Sequence, residues 1–190
     1  MSLNARMSSG LTVNGGVSSG RTETDNCEIL AAVPEANLLG APYCHQLTNF
    51  LTDFKLQGAY TMPKIDVQFG VSYRSSPGPQ IAANSVATNA SVQPSLGRAL
   101  SGGAANVTVN MVEPGTLFGD RLNQLDLRFG KVLRSGRVRT VISFDLYNAL
   151  NGNPVLSENA TYRDTTVSGW RIPTSILPAR FAKFGVQLDF

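Results

Sequence analysis

Cys27, Cys44 and His45 carry the side chains with the most definite chemistry in this chain, and His45 is its only histidine. A C-x16-C spacing with one nearby histidine supplies too few ligands for a zinc site. A disulfide between Cys27 and Cys44, closing the loop that separates them, is preferred over two free thiols. It would contribute roughly 3 kcal/mol in the chain-entropy account and implies an oxidising compartment such as the periplasm or cell surface.

Catalytic constellations are not visible. There is no G-x-S-x-G elbow, and His45 sits in a predicted loop without a placed serine and carboxylate. Gly10, Gly15, Gly16 and Gly20 do not form a phosphate loop, because no GxxxxGK[ST] follows them; they fall on a predicted strand, where small residues relieve crowding. Asp66, Asp126, Asp145 and Asp189 occur singly on polar strand faces, as in a solvated wall and not as a paired acid and base. Asn89-Ala90-Ser91, Asn106-Val107-Thr108 and Asn159-Ala160-Thr161 match the glycosylation pattern at a frequency that so Asn-, Ser- and Thr-rich a chain gives by chance. No catalytic, metal-binding or cofactor-binding residue is expected, and no enzyme activity.

The elements that position these residues are strands of period two. Ile65, Val67, Phe69, Val71 and Tyr73 alternate with Asp66, Gln68, Gly70, Ser72 and Arg74, a segregation that a 3.6-residue helical turn would scramble. Phe54, Leu56, Gly58 and Tyr60 alternate with Asp53, Lys55, Gln57 and Ala59, and Met62-Pro63-Lys64 is a short turn between the two. Leu125, Leu127 and Phe129 oppose Asp126, Arg128 and Gly130. After Arg134-Ser135-Gly136-Arg137 the pattern resumes as Val138, Thr140, Ile142, Phe144 and Leu146 against Arg139, Val141, Ser143, Asp145 and Tyr147. The N-terminal stretch from Leu3 to Ser18 reads as one weaker strand, and Ala182, Phe184, Val186, Leu188 and Phe190 form a last one against Lys183, Gly185, Gln187 and Asp189. Six strands of about 9–11 residues result, long enough to cross a bilayer when tilted.

Composition and connections give these strands a setting. Charged residues make up 15% and hydrophobic residues 42% of the 190 residues, yet no apolar run approaches the roughly 18 residues of a spanning helix. A transmembrane β-barrel satisfies both facts by spreading its apolar residues over alternate positions. The net charge of +3 is scattered, without the clustered basic footprint of a nucleic-acid binder. Connections alternate long (19–49), short (62–64), long (76–123), short (134–137) and long (148–179), the habit of outer-membrane barrels with short periplasmic turns and long outer loops. On this orientation Tyr60 and Phe190 fall in the inner aromatic girdle and Tyr73 near the outer one. Asn106–Val112 alternates and predicts a strand above the membrane, Asn148–Asn153 suggests a helical turn, and Tyr162 and Trp170 suit either surface contacts or packing of the last loop. Arg6, Lys55, Arg74, Arg128, Arg139 and Lys183 join the four aspartates on the lumen side as a hydrated wall with local ion pairs.

The segments DLYNALNGNPVL (Asp145–Leu156) and WRIPTSILPARFAKFGVQLDF (Trp170–Phe190) resemble the end of a TonB-dependent receptor barrel. They are most similar to the large receptors with an N-terminal carboxypeptidase-regulatory-like domain. SSPGPQIAAN (Ser75–Asn84) and GDRLNQLDLRFGKVLR (Gly119–Arg134) resemble the same group. The resemblance implies that Ala182, Phe184, Val186, Leu188 and Phe190 act as the assembly signal read by the barrel-insertion machinery. It also implies a fold of about 22 strands around a plug, of which 1–190 would be one partial barrel domain.

The expected fold class is therefore all-β: an antiparallel up-and-down meander of about six long strands, an open curved segment of a transmembrane barrel. No export signal is visible at the start, MSLNARMSSG. Plug, export signal and most strands are expected on sequence outside this chain, leaving a fragment inactive alone. Its function would be transport of a bulky nutrient across the outer membrane. Its partners would be outer-membrane lipid, the insertion machinery and the remainder of the receptor, with no nucleic acid. The alternatives are an oligomeric surface or adhesive β-barrel and, less favoured, a soluble β-sandwich binding module.

Overall fold

Ser8, Ser9 and Gly10 reverse the chain near its start: Gly10 takes φ +87°, and Met7 N–H donates to the Leu11 carbonyl at 2.8 Å. The computed structural model describes residues 1–32, 43–163 and 169–190, so parts of the first and last long connections lie outside the described residues. In chain order the elements are β1 (Ser2–Arg6), β2 (Leu11–Gly20), β3 (Glu23–Asp25), α1 (Cys27–Ala32), β4 (His45–Leu47), β5 (Leu51–Met62), β6 (Val67–Ser76), β7 (Asn84–Thr88), α2 (Asn89–Leu96), β8 (Asn106–Asn110), β9 (Leu122–Ser135), β10 (Val138–Tyr147), β11 (Val155–Glu158), β12 (Thr161–Tyr162), β13 (Pro173–Ile176) and β14 (Phe181–Asp189). Strands hold 56% of the described residues and helices 10%. The fold is all-β.

Seven strands form the main sheet in the order β1-β2-β5-β6-β9-β10-β14, every neighbour antiparallel and adjacent in the up-and-down sense. The sheet does not close into a barrel; β1 and β14 are its two free edges. The N-terminal stretch expected as one strand is two, β1 and β2. The alternation concealed the turn because Ala5 pairs with Val13 and Asn4 with Asn14. Partners separated by an even number of residues keep the same parity, so odd residues stay on one face across the reversal.

Turn chemistry sets the short links. Gly136 takes φ +59° at the first of two residues between the paired Ser135 and Val138, the position where a tight hairpin favours glycine. The β5–β6 turn is longer than expected: Pro63–Asp66 all belong to it, since Met62 pairs with Val67. Asp66 sits there with φ +50°, so it leaves the polar strand face. Its carboxylate instead accepts two hydrogen bonds of 2.9 Å from Arg134 and ties two neighbouring hairpins together. All three short turns lie at one end of the sheet.

The long connections at the other end are folded and interlocked. β7 and β8 pair antiparallel from Asn84–Asn110 to Thr88–Asn106, which puts a strand where Asn106–Val112 predicted one, and β12 adds in parallel to β7. β11 pairs with β13, and β3 with β4. Cys27 and Cys44 are joined by a disulfide at the foot of the β3–β4 ribbon. Asn148–Asn153 forms no helix: Asn148 and Asn151 take φ +49° and +53°, a left-handed backbone that asparagine tolerates.

Contacts between these connections are specific. Asn49 N–H donates to the Gly115 carbonyl at 3.1 Å and Asn84 N–H to Ala160 at 2.7 Å, while within the second connection Ile81 N–H donates to Leu117 at 2.9 Å. Trp170 Nε1 donates to the Ala82 carbonyl at 2.9 Å and meets Tyr162 edge-on, so this pair packs the last loop onto its neighbour. Ile81, Ala83 and Leu177 are buried in the loops; Val132 and Val141 are the buried apolar residues of the sheet.

At the neck of the 77–121 connection, a Cβ on Gly78 would overlap the Gly119 and Asp120 carbonyl groups, backbone atoms that cannot swing aside. Gly78→Ala is expected to destabilise the refolded chain by about 1–3 kcal/mol, read as a lower urea midpoint. Gly20→Ala, where a Cβ meets nothing within 4 Å, is the control and should stay within about 0.5 kcal/mol.

Candidate functional site

β10 shows how the main sheet distributes its side chains. Ser143 and Asp145 are buried at 6% exposure each, whereas Ile142, on the opposite face, is 44% exposed. In water the hydrophobic effect and the cost of burying a carboxylate both drive the reverse arrangement. Apolar exposure on this face recurs toward the β14 edge and at β1, β2 and β9, whereas β5 keeps the ordinary order, with Lys55, Gln57 and Ala59 exposed and Phe54, Leu56 and Tyr60 half-buried. Phe184 is 78% and Val186 68% exposed on β14, and Leu3, Val17, Phe129 and Leu133 are exposed on the same face.

Cross-strand register makes that face continuous. Leu11 pairs with Tyr60, Tyr60 with Phe69, Phe69 with Phe129, Phe129 with Phe144, and Phe144 with Phe184. The result is an aromatic ladder over five adjacent strands, with ring centroids 5.1 Å apart for Phe69–Phe129, 6.5 Å for Phe129–Phe144 and 5.1 Å for Phe144–Phe184. Each such contact adds about 0.5–1.5 kcal/mol beyond area burial. Toward the loops, Phe54 meets Tyr73 at 5.8 Å, and the Tyr73 hydroxyl donates to Asn123 Oδ1 at 3.1 Å.

The other face is polar and hollow. An open cavity of about 400 Å³ is lined by Asn14, Gln57, Ser72, Asp126, Arg128 and Tyr147, among others. Arg128 Nε lies 3.6 Å from Asp145 Oδ1, and Lys183 stands opposite Asp145 on β14, so the nearly buried carboxylate is flanked by two cations. Arg139 pairs with Asp189 at 2.8 Å. Gln124 Nε2 donates to both oxygens of Asp126, at 3.1 and 3.0 Å. Lys55 stands directly opposite Arg74, and neither has a carboxylate within 4 Å among the described residues. Arg6 lies on the edge strand β1. Of the ten charged residues expected on this wall, the sheet brings nine to one face; Asp66 is the exception, held in its turn.

The chemistry open to this wall is solvation and hydrogen bonding of polar surfaces. His45 Nε2 lies 3.0 Å from Glu23 Oε1 on the β3–β4 ribbon, outside the main sheet. Ala182, Phe184, Val186 and Leu188 share the apolar face of the edge strand β14, and Phe190 just beyond it is fully exposed.

Sequence reasoning missed the residues that fasten the sheet's outer end. Asn148, 2% exposed, donates through its backbone N–H to Asp126 Oδ1 at 2.8 Å. Its amide donates to the Gly152 and Pro178 carbonyls at 2.8 Å each and accepts from Gly152 N–H at 3.0 Å. One residue, through backbone and side chain together, thus joins β9, the end of β10 and the approach to β14. Arg121 does similar work at β5 and β6: Nε donates to Ser75 Oγ at 2.7 Å, and Nη2 to the Ser75 and Thr52 carbonyls. The asparagine run Asn148–Asn153 carried a signal for the first of these, since asparagine favours left-handed turns; Arg121 carried none.

No protein-family model, curated protein or solved structure matches the chain.

Asn148→Ala would leave the Gly152 and Pro178 carbonyls and the Gly152 N–H without this partner, each worth about 1–3 kcal/mol if unsatisfied. A loss of at least about 2 kcal/mol is expected in chemical denaturation. Limited proteolysis should then cleave first within 148–180.

Proposed function

We propose that this chain is the C-terminal wall of an outer-membrane β-barrel, and specifically of a TonB-dependent receptor of the type with an N-terminal carboxypeptidase-regulatory-like domain. The observation that carries the membrane reading is the inverted burial on β10, with Ser143 and Asp145 buried and Ile142 exposed. Exposing one apolar face over seven strands to water would forgo about 1.5–3 kcal/mol for each large side chain. Facing it to hydrocarbon removes that cost. β5 and β9, at 12 and 14 residues, are long enough to cross a bilayer at a tilt. The short turns at one end and folded loops at the other support periplasmic and outer sides respectively.

The receptor assignment rests on the sequence resemblance at Ser75–Asn84, Gly119–Arg134, Asp145–Leu156 and Trp170–Phe190. On that reading the polar wall borders the path of a bulky nutrient, and further strands pair with the free edges of β1 and β14. The remainder of the receptor supplies those strands and the plug. β14, with Ala182, Phe184, Val186, Leu188 and Phe190, is the segment read by the insertion machinery.

Paired arginine substitutions test the membrane reading. In phosphatidylcholine vesicles Phe129→Arg should destabilise by about 2–4 kcal/mol, the cost of a cation on the lipid face near the midplane, while Ser72→Arg on the polar face should change little. If instead Phe129→Arg improves recovery of a compact monomer from aqueous buffer, the face is a water-exposed surface and the proposal fails. The receptor assignment is tested in the genome. An in-frame plug-coding region upstream of Met1 is expected, and an export signal directly upstream with no plug would favour an oligomeric surface barrel. In cells, Phe190→Ser should lower the amount of chain recovered in the outer-membrane fraction several-fold.

A further inference from the structure

On the seven strands of the main sheet the apolar face carries no aspartate or glutamate. The strand acids Asp53, Asp126, Asp145 and Asp189 all have the opposite parity to their apolar neighbours. At the loop end of β5 this face gives way to cations. The Arg21 guanidinium lies 5.4 Å from the centroid of the Phe50 ring, and Phe50 is 68% exposed. On the other side of the same strand end, Arg121 is fixed by its bonds to Ser75 and Thr52.

Three features make this margin a site and not merely a charged rim. First, neither arginine has a carboxylate within 4 Å among the described residues. Second, the bonds to β5 and β6 hold Nε and Nη2 of Arg121 inward, leaving Nη1 without a protein partner among the described residues. The planar group is therefore preorganised, and little rotamer entropy remains to be lost on binding. Third, Arg121 lines an open hollow of about 280 Å³ whose walls include Phe50, Thr52 and Phe118. Below it the same face continues as Phe54 and Tyr73.

Guanidinium groups favour phosphate because their donors match its oxygens in pairs. Aromatic and aliphatic surface directly beneath suits hydrocarbon. A ligand that satisfies both at once is an amphiphile with a phosphate head. We propose that the outer margin between Arg21 and Arg121 binds the phosphate-bearing headgroup of a membrane lipid, whose chains lie along Phe54 and Tyr73. This rests on the reading of the apolar face as lipid-facing. A soluble phosphorylated partner would use the arginines but leave the apolar surface below them unexplained.

The full chain is refolded into phosphatidylcholine bilayers containing a minor fraction of phosphatidic acid. Protease protection reports insertion, and native mass spectrometry after transfer to neutral detergent reports the lipid retained. Wild type should retain phosphatidic acid in preference to phosphatidylcholine. The double variant R21Q/R121Q should retain it roughly tenfold less, the size of one lost charge-assisted hydrogen bond. Because Arg121 also fastens β5 to β6, R21Q alone is the second variant: among the described residues the Arg21 side chain lies over the Phe50 ring and makes no hydrogen bond or ion pair, and its loss should weaken retention without changing insertion. R121K should restore part of the effect of R121Q.

Equal retention of the two lipids by wild type, or unchanged retention in R21Q/R121Q, overturns the proposal. Displacement of the lipid by millimolar inorganic phosphate overturns it too, by showing a site for the free anion. A chain that inserts into pure phosphatidylcholine but shows no selection sinks this inference alone. A chain that inserts into neither bilayer sinks the membrane reading with it.

Discussion

Six ladders join the seven strands of the main sheet, and in every one the paired residues bring apolar side chains to the same side. Because side chains alternate with period two, a slip of one residue in any ladder would turn the whole following strand over. Slipping β14 by one position would move Phe184, Val186 and Leu188 toward Asp145 and Arg128. It would also carry Lys183 and Gln187 into the aromatic ladder. Register is thus the constraint from which both surfaces follow: one continuous apolar face, and one wall on which nine charged residues gather.

Several contacts hold that register, and they are distributed along the strands. The aromatic ladder acts in the middle, where Phe69, Phe129, Phe144 and Phe184 meet in sequence. Arg134 and Asp66 bind one hairpin to the next at the short-turn end. At the loop end Asn148 and Arg121 fasten four strands between them through backbone carbonyls and buried polar atoms. The apolar face has no fully buried large side chain: Phe54, Tyr60, Phe69 and Phe144 are half-buried, and Phe129, Ile142, Phe184 and Val186 are exposed. These polar fasteners therefore carry more of the specificity than they would in a protein with a conventional core.

The loops follow a different logic from the sheet. Their small core of Ile81, Ala83 and Leu177 is buried in the ordinary way, apolar atoms inside and polar atoms outside. Backbone hydrogen bonds at Gly115 and Asn84 and the Trp170 indole bond to the Ala82 carbonyl tie the three long connections to one another, and the disulfide closes the first of them. One chain thus contains two kinds of packing: ordinary in the loops and inverted on β10 of the sheet. The boundary runs along the margin where Arg21 and Arg121 lie, between surfaces suited to different solvents.

The strands themselves were legible in the sequence, because alternation is a property of neighbouring residues and needs no partner to be seen. Val67–Tyr73 and Val138–Leu146 segregate their two faces by local pattern alone, and the long–short order of connections follows from where those patterns stop. The count was not: Ser8–Gly10 reverses the chain without breaking parity, and only the pairing of Ala5 with Val13 reveals a hairpin. Asp66 was misassigned because its place in the alternation is right, while the turn geometry and Arg134, 68 residues away, hold it elsewhere. Asn148, Arg121 and Trp170 act on atoms 22 to 88 residues distant. No local pattern records such partners. Sequence determined which side chains share a face; tertiary structure decided which distant groups meet at its margins, because those meetings depend on the register of every strand between them.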